Sequence, residues 1–354
     1  MLSRQLPRIG RLPSGPRDLI SDVAGVTVGH ATLAQGDIQT GVTVIRPHAG
    51  DVYQRKVPAC SVVINGHTKT AGSTQIEELG LIETPIALTN TLSVGTIMMA
   101  QVRDAIRHNP AICRETSSVN PVVGECSDAR LNDIQALRIE ESHYLDALED
   151  CRADFALGAI GAGRGMVNFG FKGGIGSASR VVRIAEVDYT VGILALTNFG
   201  HPHQLIVAGE RVGEAYCGQP ERTPESGSCI FVLATNAPLE HRQLKRLARR
   251  VTAGLARTGS IFGHGSGDQV IAFSTHHTYD WRHPGATQPA VAYLYDEAMD
   301  PTLFEAAADA TEQAVLKALW ASETVTGFRG KTVKNFLEAW EEKMGPLPAT
   351  PNEA

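Results

Sequence analysis

The fold of this chain is decided by one segment, which reads Pro224-Glu225-Ser226-Gly227-Ser228-Cys229-Ile230-Phe231-Val232-Leu233-Ala234-Thr235. The segment is polar before Gly227 and becomes apolar and strand-forming after Ser228, a pattern typical of a strand covered on both faces. Because Gly227 has no Cβ, the backbone before the strand can bend tightly. The segment therefore predicts a buried strand that holds Ser228 in a fixed position at its start.

Ser228 is also a candidate nucleophile. If the Gly227–Ser228 bond were cut, Ser228 would carry a free α-amine beside its own hydroxyl, and such an amine is a known activating base. The alternative is that the Gly-Ser pair merely ends a turn. A cut one bond later would instead leave Cys229 as the nucleophile.

Composition limits the class of protein. The chain has 354 residues, of which 43% are hydrophobic and 20% charged, so it should bury a sizeable core. A net charge of −6 and the lack of a face rich in lysine and arginine argue against a nucleic-acid partner. No stretch approaches 18 apolar residues, so we expect no membrane span. The cysteines are scattered without a C-x-x-C pair, which fits reduced thiols in a cytoplasmic enzyme.

Two patterns resemble cofactor or metal sites without matching them. The pairs His201-Pro202-His203 and His276-His277 lack the H-E-x-x-H pattern and a carboxylate at the spacing that zinc enzymes use. Residues 158–177 include eight glycines but neither a G-x-G-x-x-G fingerprint nor a P-loop. We therefore predict no metal and no cofactor, and we interpret the glycines as close backbone packing or as the wall of a site.

Hydrophobic periodicity predicts a mixture of strands and helices. Strands are predicted at 25–33, 41–46, 59–65, 86–88, 181–184, 189–196, 230–235, 270–274 and 290–295. Helices are predicted at 94–107, 136–152, 238–257, 301–322 and 332–343. Since the strands and helices do not alternate strictly, the pattern favours layered sheets with helices outside them.

Three further groups of polar residues could take part in chemistry. Ser266 and Asp268 are two positions apart at the start of a strand, so they share one side if the segment is extended. Asp268 could then orient Ser266, which could pass a proton to or from Ser228. The amide of Asn198, just past a strand, could stabilise an oxyanion, and Glu125 could pair with a substrate ammonium. The structural alternatives are an ordinary turn, a turn cap and a surface charge.

These groups occur together in an order that resembles the DmpA/BapA family, the L-aminopeptidase/D-amidase/D-esterase and β-peptidyl aminopeptidase enzymes. The resemblance spans nearly the whole chain. Besides the residues above, it rests on the segments 20–26, 41–43, 65–66, 89–91, 170–180, 198–200, 243–250 and 271–275.

The resemblance implies an α+β fold, a four-layer αββα sandwich similar to the N-terminal-nucleophile hydrolases, formed by a single domain 1–354. It also implies self-cleavage into an α chain 1–227 and a β chain 228–354, and a homotetramer of αβ units. The family's nucleophile falls on Ser228, its auxiliary serine and acid on Ser266 and Asp268, its oxyanion amide on Asn198 and its amine-binding carboxylate on Glu125. The implied activity is release of N-terminal amino acids from small peptides, amides or esters.

One position departs from the family pattern. The family's Glu-Thr-Tyr-Asp-Gly reads Glu125-Cys126-Ser127-Asp128-Ala129 here, so Ser127 replaces a tyrosine thought to help stabilise the oxyanion. A serine hydroxyl can also donate, but its reach is shorter; either a water or substrate group fills the gap, or the pocket suits bulkier side chains. Two other functions stay open: acyl transfer by the same nucleophile, as in the similarly folded ornithine acetyltransferases, and a non-catalytic relative.

Overall fold

The computed structural model describes residues 2–218, 227–282 and 290–348. The strands are β1 Thr27–Gln35, β2 Ile38–Arg46, β3 Arg55–Gly66, β4 Leu81–Ile82, β5 Ile86–Asn90, β6 Val122–Cys126, β7 Val167–Asn168, β8 Phe171–Lys172, β9 Gly174–Ile184, β10 Val187–Asn198, β11 Ser228–Thr235, β12 Gly267–Ser274, β13 Tyr279–Asp280, β14 Val325–Thr326 and β15 Thr332–Val333. The helices are α1 Ser73–Leu79, α2 Val94–His108, α3 Glu141–Glu149, α4 Val212–Cys217, α5 His241–Ala248, α6 Val251–Arg257, α7 Thr302–Trp320 and α8 Phe336–Met344.

Two sheets form the centre of the fold. The first has the strand order β1-β2-β5-β6, and the second has the order β13-β3-β12-β11-β10-β9, with β4 beside β3. The pairs β5–β6 and β11–β12 are parallel, and β11 pairs with β10 in antiparallel fashion. Strand β11 is therefore an inner strand of the second sheet, which gives the start of this strand neighbours on both sides.

Apolar side chains fill the spaces between four layers. Ile45 and Leu88 of the first sheet and Val232 of the second lie in the core between the sheets. Helices α5 and α7 cover the other face of the second sheet, and α2 and α3 cover the other face of the first. The predicted α+β class and αββα layering are confirmed.

Strand β11 is the buried strand that the apolar run after Ser228 predicts. All of its residues are buried. Ile230 and Val232 belong to the core between the sheets, whereas Phe231 and Leu233 belong to the core beneath the helices. Since successive side chains of a strand point to opposite faces, an unbroken apolar run is what such a doubly covered strand requires.

The predicted strand at 290–295 is wrong. The segment lies outside any strand and packs against the start of α5. Leu294 accepts a hydrogen bond from the Gln243 side chain of α5 and donates one to the Pro238 carbonyl just before that helix. Tyr295 at its end is 84% exposed. The apolar alternation resembled a strand, but this segment lies against a helix start and has no strand partner among the described residues.

Three predicted helices are shorter or broken. The helix predicted at 136–152 forms only over Glu141–Glu149. The helix predicted at 238–257 divides into α5 and α6, where the Arg250 amide makes a tight turn by donating to the Leu247 carbonyl and the Arg250 guanidinium packs on the Phe304 ring. The helix predicted at 332–343 begins only at Phe336, because the Asn335 side chain accepts a hydrogen bond from the backbone at the first turn.

The glycine-rich stretch 158–177 packs backbone against backbone, as one of the two interpretations predicts. The Gly158 and Ile175 amides each donate to the other's carbonyl, at 2.7 and 2.9 Å. The fully buried Lys172 ammonium lies within the stretch and donates to the carbonyls of Gly163, Met166 and Gly173 at 2.7–2.9 Å. These hydrogen bonds from the buried Lys172 side chain fix the loop that leads to the cavity-lining Val167.

Replacing Gly176 with alanine should destabilise the fold. A Cβ at Gly176 would lie 1.8 Å from the Ala314 carbonyl oxygen of α7, so the helix would have to move. Overpacking of this kind typically lowers the free energy of unfolding by about 1–3 kcal/mol. Gly95 is the matched control, because a Cβ there meets nothing within 4 Å and alanine favours its helix. Denaturant unfolding should give Gly95→Ala a higher free energy of unfolding than the wild type and Gly176→Ala a lower one. Equal free energies of unfolding for the three proteins would refute the packing argument.

Candidate active site

Three of the predicted site residues, Ser127, Asn198 and Ser228, line one cavity where strands of both sheets begin or end. The other three, Glu125, Ser266 and Asp268, are buried and are not among the residues that line it. Ser228 starts β11, Asn198 ends the neighbouring β10, and Gly267 starts β12 on the other side. Strand β6 of the first sheet ends close by, just before Ser127. These ends enclose a cavity of about 530 Å³. Its lining residues are His67, Lys69, Thr91, Ser127, Ala129, Arg130, Val167, Asn198, Phe199, Gly200, Gly227, Ser228 and Gly265.

Ser228 is positioned against the bond that the sequence predicts to be cut. Its hydroxyl donates to the Gly227 carbonyl oxygen at 2.5 Å, and its side chain is only 6% exposed although it lines the cavity. The strand register pairs Ser228 with Asn198 on one side and with Gly267 on the other. The hydroxyl is therefore held on a rigid element beside a carbonyl group that it could attack.

Gly267 contributes a donor that the sequence analysis missed. Its amide donates to the Gly227 carbonyl oxygen at 3.2 Å and also lies 3.4 Å from the Ser228 hydroxyl. A backbone N–H in this position can stabilise negative charge as it develops on the carbonyl oxygen. Strand pairing determines this contact, so a motif search that reads side chains does not reveal it.

Both glycines at this junction are required by space. A Cβ at Gly227 would lie 2.7 Å from the Asn198 carbonyl oxygen, and one at Gly267 would lie 2.4 Å from the His67 carbonyl oxygen. The backbones at the ends of four strands, β3, β10, β11 and β12, approach each other closely here. This close approach is what aligns the donor, the carbonyl group and the hydroxyl.

The amide of Asn198 is fixed from both ends. Its Oδ1 accepts a hydrogen bond from the Val167 amide, and its Nδ2 donates to the Ser127 carbonyl, each at 2.9 Å. Nδ2 carries a second hydrogen, and Asn198 lines the cavity. The arrangement suits an oxyanion donor, and the link to Ser127 ties the end of the second sheet to the loop after β6.

Ser266 and Asp268 form the pair that the sequence predicts. The Ser266 hydroxyl donates to Oδ1 of Asp268 at 2.7 Å, and both side chains are buried. The Cys229 thiol donates to the same carboxylate oxygen at 3.0 Å. Cys229 is fully buried in the core beneath the helices, so its position does not favour the alternative in which it is the nucleophile.

Glu125 lies behind the cavity wall. Its Oε1 accepts from the Lys69 amide at 2.9 Å and from the Thr68 hydroxyl at 3.3 Å, and its Oε2 accepts from the Thr91 hydroxyl. The carboxylate is 1% exposed, whereas Thr91 and Lys69 line the cavity. Glu125 therefore ties β6 to the loop after β3 and to the segment after β5. It is separated from the substrate space by the residues that line the cavity.

Ser127 lines the cavity, and the next residue is a buried acid that the sequence analysis did not select. Asp128 is fully buried, and the Asn132 side chain donates to its Oδ1 at 3.0 Å. Burial raises the pKa of the Asp128 carboxyl to about 6, although hydrogen bonds from neighbouring side chains oppose the rise. The loop that carries Ser127 is thus anchored by a carboxyl group that titrates at mildly acidic pH.

The raised pKa of Asp128 gives a stability prediction with a definite sign. The folded state binds this proton more tightly than the unfolded state, in which an aspartate has a pKa near ~3.9. The protonated Asp128 carboxyl therefore stabilises the folded state below about pH 4, and this contribution is lost as the pH rises through 6. Relative to Asp128→Asn, the wild type should lose up to about 3 kcal/mol between pH 4 and pH 7. Urea unfolding across this range measures the difference; a difference independent of pH would contradict it.

Two negative findings concern the described residues only. Within the ranges 2–218, 227–282 and 290–348, the side chains of His, Cys, Asp and Glu form no cluster of three that could hold a metal ion. In those ranges, no helix has the length and apolar character needed to span a bilayer.

Comparison with known proteins identifies the fold and the family. The sequence profile of peptidase family S58 matches residues 18–333 of this chain. The chain is 37% identical over 351 residues to β-peptidyl aminopeptidase BapA of Sphingosinicella microcystinivorans. The alignment covers 92% of this chain and 87% of the relative. A Burkholderia β-aminopeptidase structure is 38% identical with a TM-score of 0.86, covering 95% of this chain and 97% of its own. The L-aminopeptidase D-Ala-esterase/amidase of Ochrobactrum anthropi is 34% identical with a TM-score of 0.87, covering 98% of each chain.

The last of these structures is described as a variant of the N-terminal-nucleophile hydrolase fold, and this chain shares that fold. The chain belongs to peptidase family S58. The resemblance to the DmpA/BapA family and the predicted enzyme class, a serine aminopeptidase, are confirmed. The roles of the individual site residues stay predictions.

Proposed function

We propose that the chain cuts itself between Gly227 and Ser228 and then acts as an aminopeptidase through Ser228. The observation that carries the proposal is the contact of the Ser228 hydroxyl with the Gly227 carbonyl oxygen, which also accepts from the Gly267 amide. A nucleophile, the carbonyl group and an oxyanion donor therefore lie together on strand ends that cannot easily move.

Self-cleavage would take two steps. The Ser228 hydroxyl oxygen attacks the Gly227 carbonyl carbon, an ester bond forms, and the amide bond breaks as the hydroxyl proton passes to the Ser228 nitrogen. Water then hydrolyses the ester, which leaves a carboxylate on Gly227 and restores the hydroxyl. The products are an α chain 1–227 and a β chain 228–354 that begins with a free amine.

Turnover would reuse the same groups. The new α-amine has a typical pKa near ~8, so it can accept the hydroxyl proton at neutral to mildly alkaline pH. Ser228 attacks the carbonyl carbon of the substrate's first residue, and the Asn198 amide and the Gly267 N–H stabilise the oxyanion. Ser266, oriented by Asp268, passes the proton to the departing amine. Water then releases the free amino acid from the acyl-enzyme.

The names of the relatives indicate the substrates to test: β-peptides, peptides with an N-terminal L-amino acid, and D-alanine esters or amides. The processed protein should release p-nitroaniline from L-alanine or β-alanine p-nitroanilide and an equal amount of free amino acid. Adding an amine acceptor distinguishes hydrolysis from acyl transfer, because a transferase would form a new amide instead. Processed protein that cleaves no amide or ester would contradict the proposed activity.

Assembly and location are part of the proposal. The resemblance to the family supports a homotetramer of αβ units, and the scattered free cysteines support a cytoplasmic, reducing location. Light scattering of the purified protein should give the mass of four αβ units; a monomeric mass would contradict the assembly.

A further inference from the structure

The wall of the Ser228 cavity carries positive charge. The cations of Lys69 and Arg130 line it, and among the described lining residues there is no Asp or Glu. The nearby carboxyl groups of Glu125, Asp128 and Asp268 are buried and accept hydrogen bonds from protein donors. Because the whole chain carries a net charge of −6, this excess of positive charge is a local property of the cavity.

Neither cation has an acidic partner in the part of the chain that the structure describes. Some arginines outside the cavity are paired, as Arg164 is with Glu323 and Arg257 is with Asp309. The Lys69 ammonium instead lies 3.4 Å from the His67 carbonyl oxygen, a neutral acceptor. Arg130 is exposed to the cavity and the solvent. Two charges at the mouth of a concave site are thus available to a ligand.

The backbone beneath both cations is held in place. The Lys69 amide donates to Glu125 Oε1 at 2.9 Å, so its loop is tied to the end of β6. Arg130 lies in a turn that is closed by the Leu131 and Asn132 amides, which donate to the Asp128 carbonyl at 3.0 and 2.9 Å. Only the side-chain ends must be ordered when an anion binds, which lowers the entropic cost of binding.

We propose that Lys69 and Arg130 bind a carboxylate group of the substrate and so give the enzyme a preference for anionic substrates. The inference rests on the proposed aminopeptidase activity. An arginine guanidinium can hold a carboxylate through two hydrogen bonds, and a concave site with walls of low dielectric constant strengthens the attraction. The carboxylate could be the C-terminus of a dipeptide or the side chain of an acidic first residue, and the two sources can be separated.

Matched substrate pairs test the proposal. Comparing kcat/KM for the dipeptide Ala-Ala with that for its C-terminal amide tests recognition of a carboxylate on the leaving residue. Comparing aspartyl p-nitroanilide with asparaginyl p-nitroanilide tests recognition of a carboxylate on the side chain of the first residue. In at least one pair the acid should have a kcat/KM roughly tenfold or more above its neutral partner at low salt. The double variant Lys69→Gln/Arg130→Gln should abolish that ratio, whereas the control Arg114→Gln/Lys331→Gln, which removes two exposed cations outside the cavity, should keep it.

A binding measurement separates the failure of this inference from failure of the proposed function. Calorimetric titration with N-acetylalanine, which carries a carboxylate but no free amine, should show binding to the wild type and at least tenfold weaker binding to the double variant. If amides are hydrolysed but neither acid is preferred, or if the double variant keeps the preference, the inference is wrong and the aminopeptidase stands. If nothing is hydrolysed, the proposed function is wrong, and the titration alone decides whether the cavity binds a carboxylate.

Discussion

Ser228→Ala is expected to give an unbroken chain of 354 residues without aminopeptidase activity. Two effects combine. Without the hydroxyl, the Gly227 carbonyl carbon has no nucleophile beside it, so the amide bond stays intact. Without the cut, no free α-amine forms, so the general base for turnover is missing as well. Loss of a serine nucleophile typically lowers kcat by about 10⁶-fold, so residual activity should be undetectable.

The fold should survive this change, which makes the result interpretable. Ser228 is the first residue of β11, and the strand is held by the apolar residues that follow it. Ser228→Cys is the matched control, because a thiol can also attack the carbonyl carbon. It should still yield two chains, more slowly than the wild type. An Ser228→Ala protein that divides into two chains would contradict the account.

Ser266→Ala should have the second largest effect. The variant removes the hydroxyl that Asp268 orients while leaving Ser228 and its contact with Gly227 in place. Loss of a positioned acid or base typically costs about 10²–10⁴-fold in rate, and we expect kcat for amide hydrolysis to fall by roughly 10²–10³-fold with little change in KM. Steady-state kinetics of the processed fraction measures this drop.

Cys229→Ala is the control for that experiment. Its thiol donates to the same Asp268 oxygen but lies in the core beneath the helices, away from the cavity. The account predicts activity close to that of the wild type for Cys229→Ala. A Ser266→Ala enzyme as fast as the wild type would exclude a role for Ser266 in proton transfer, and a dead Cys229→Ala enzyme that still folds would shift that role to the thiol.

The sequence predicts well those parts of the molecule that local pattern determines. An unbroken apolar run needs cover on both faces, so the buried strand β11 follows from residues 230–235 alone. The pair Ser266 and Asp268 follows from extended backbone at a strand start, where alternate side chains share a face. Glycines in the stretch 158–177, such as Gly174, are readable as sites of close backbone approach.

What the sequence does not predict depends on contacts between distant segments. The Gly267 amide reaches the Gly227 carbonyl oxygen only because β11 and β12 pair in a particular register. The cations Lys69 and Arg130 belong to loops 61 positions apart in sequence, and they share a wall only after β3 and β6 have folded. The wrong strand at 290–295 has the same origin, since strand formation needs a free sheet edge that no local pattern records.

The central claim is that the chain cuts itself before Ser228 and uses the new amino end as part of its active site. N-terminal sequencing and intact-mass analysis of the purified, active wild-type protein under denaturing conditions test it most directly. The account predicts two chains, the smaller of which begins Ser228-Cys229-Ile230. An intact chain of 354 residues that hydrolyses amides at full rate would contradict it.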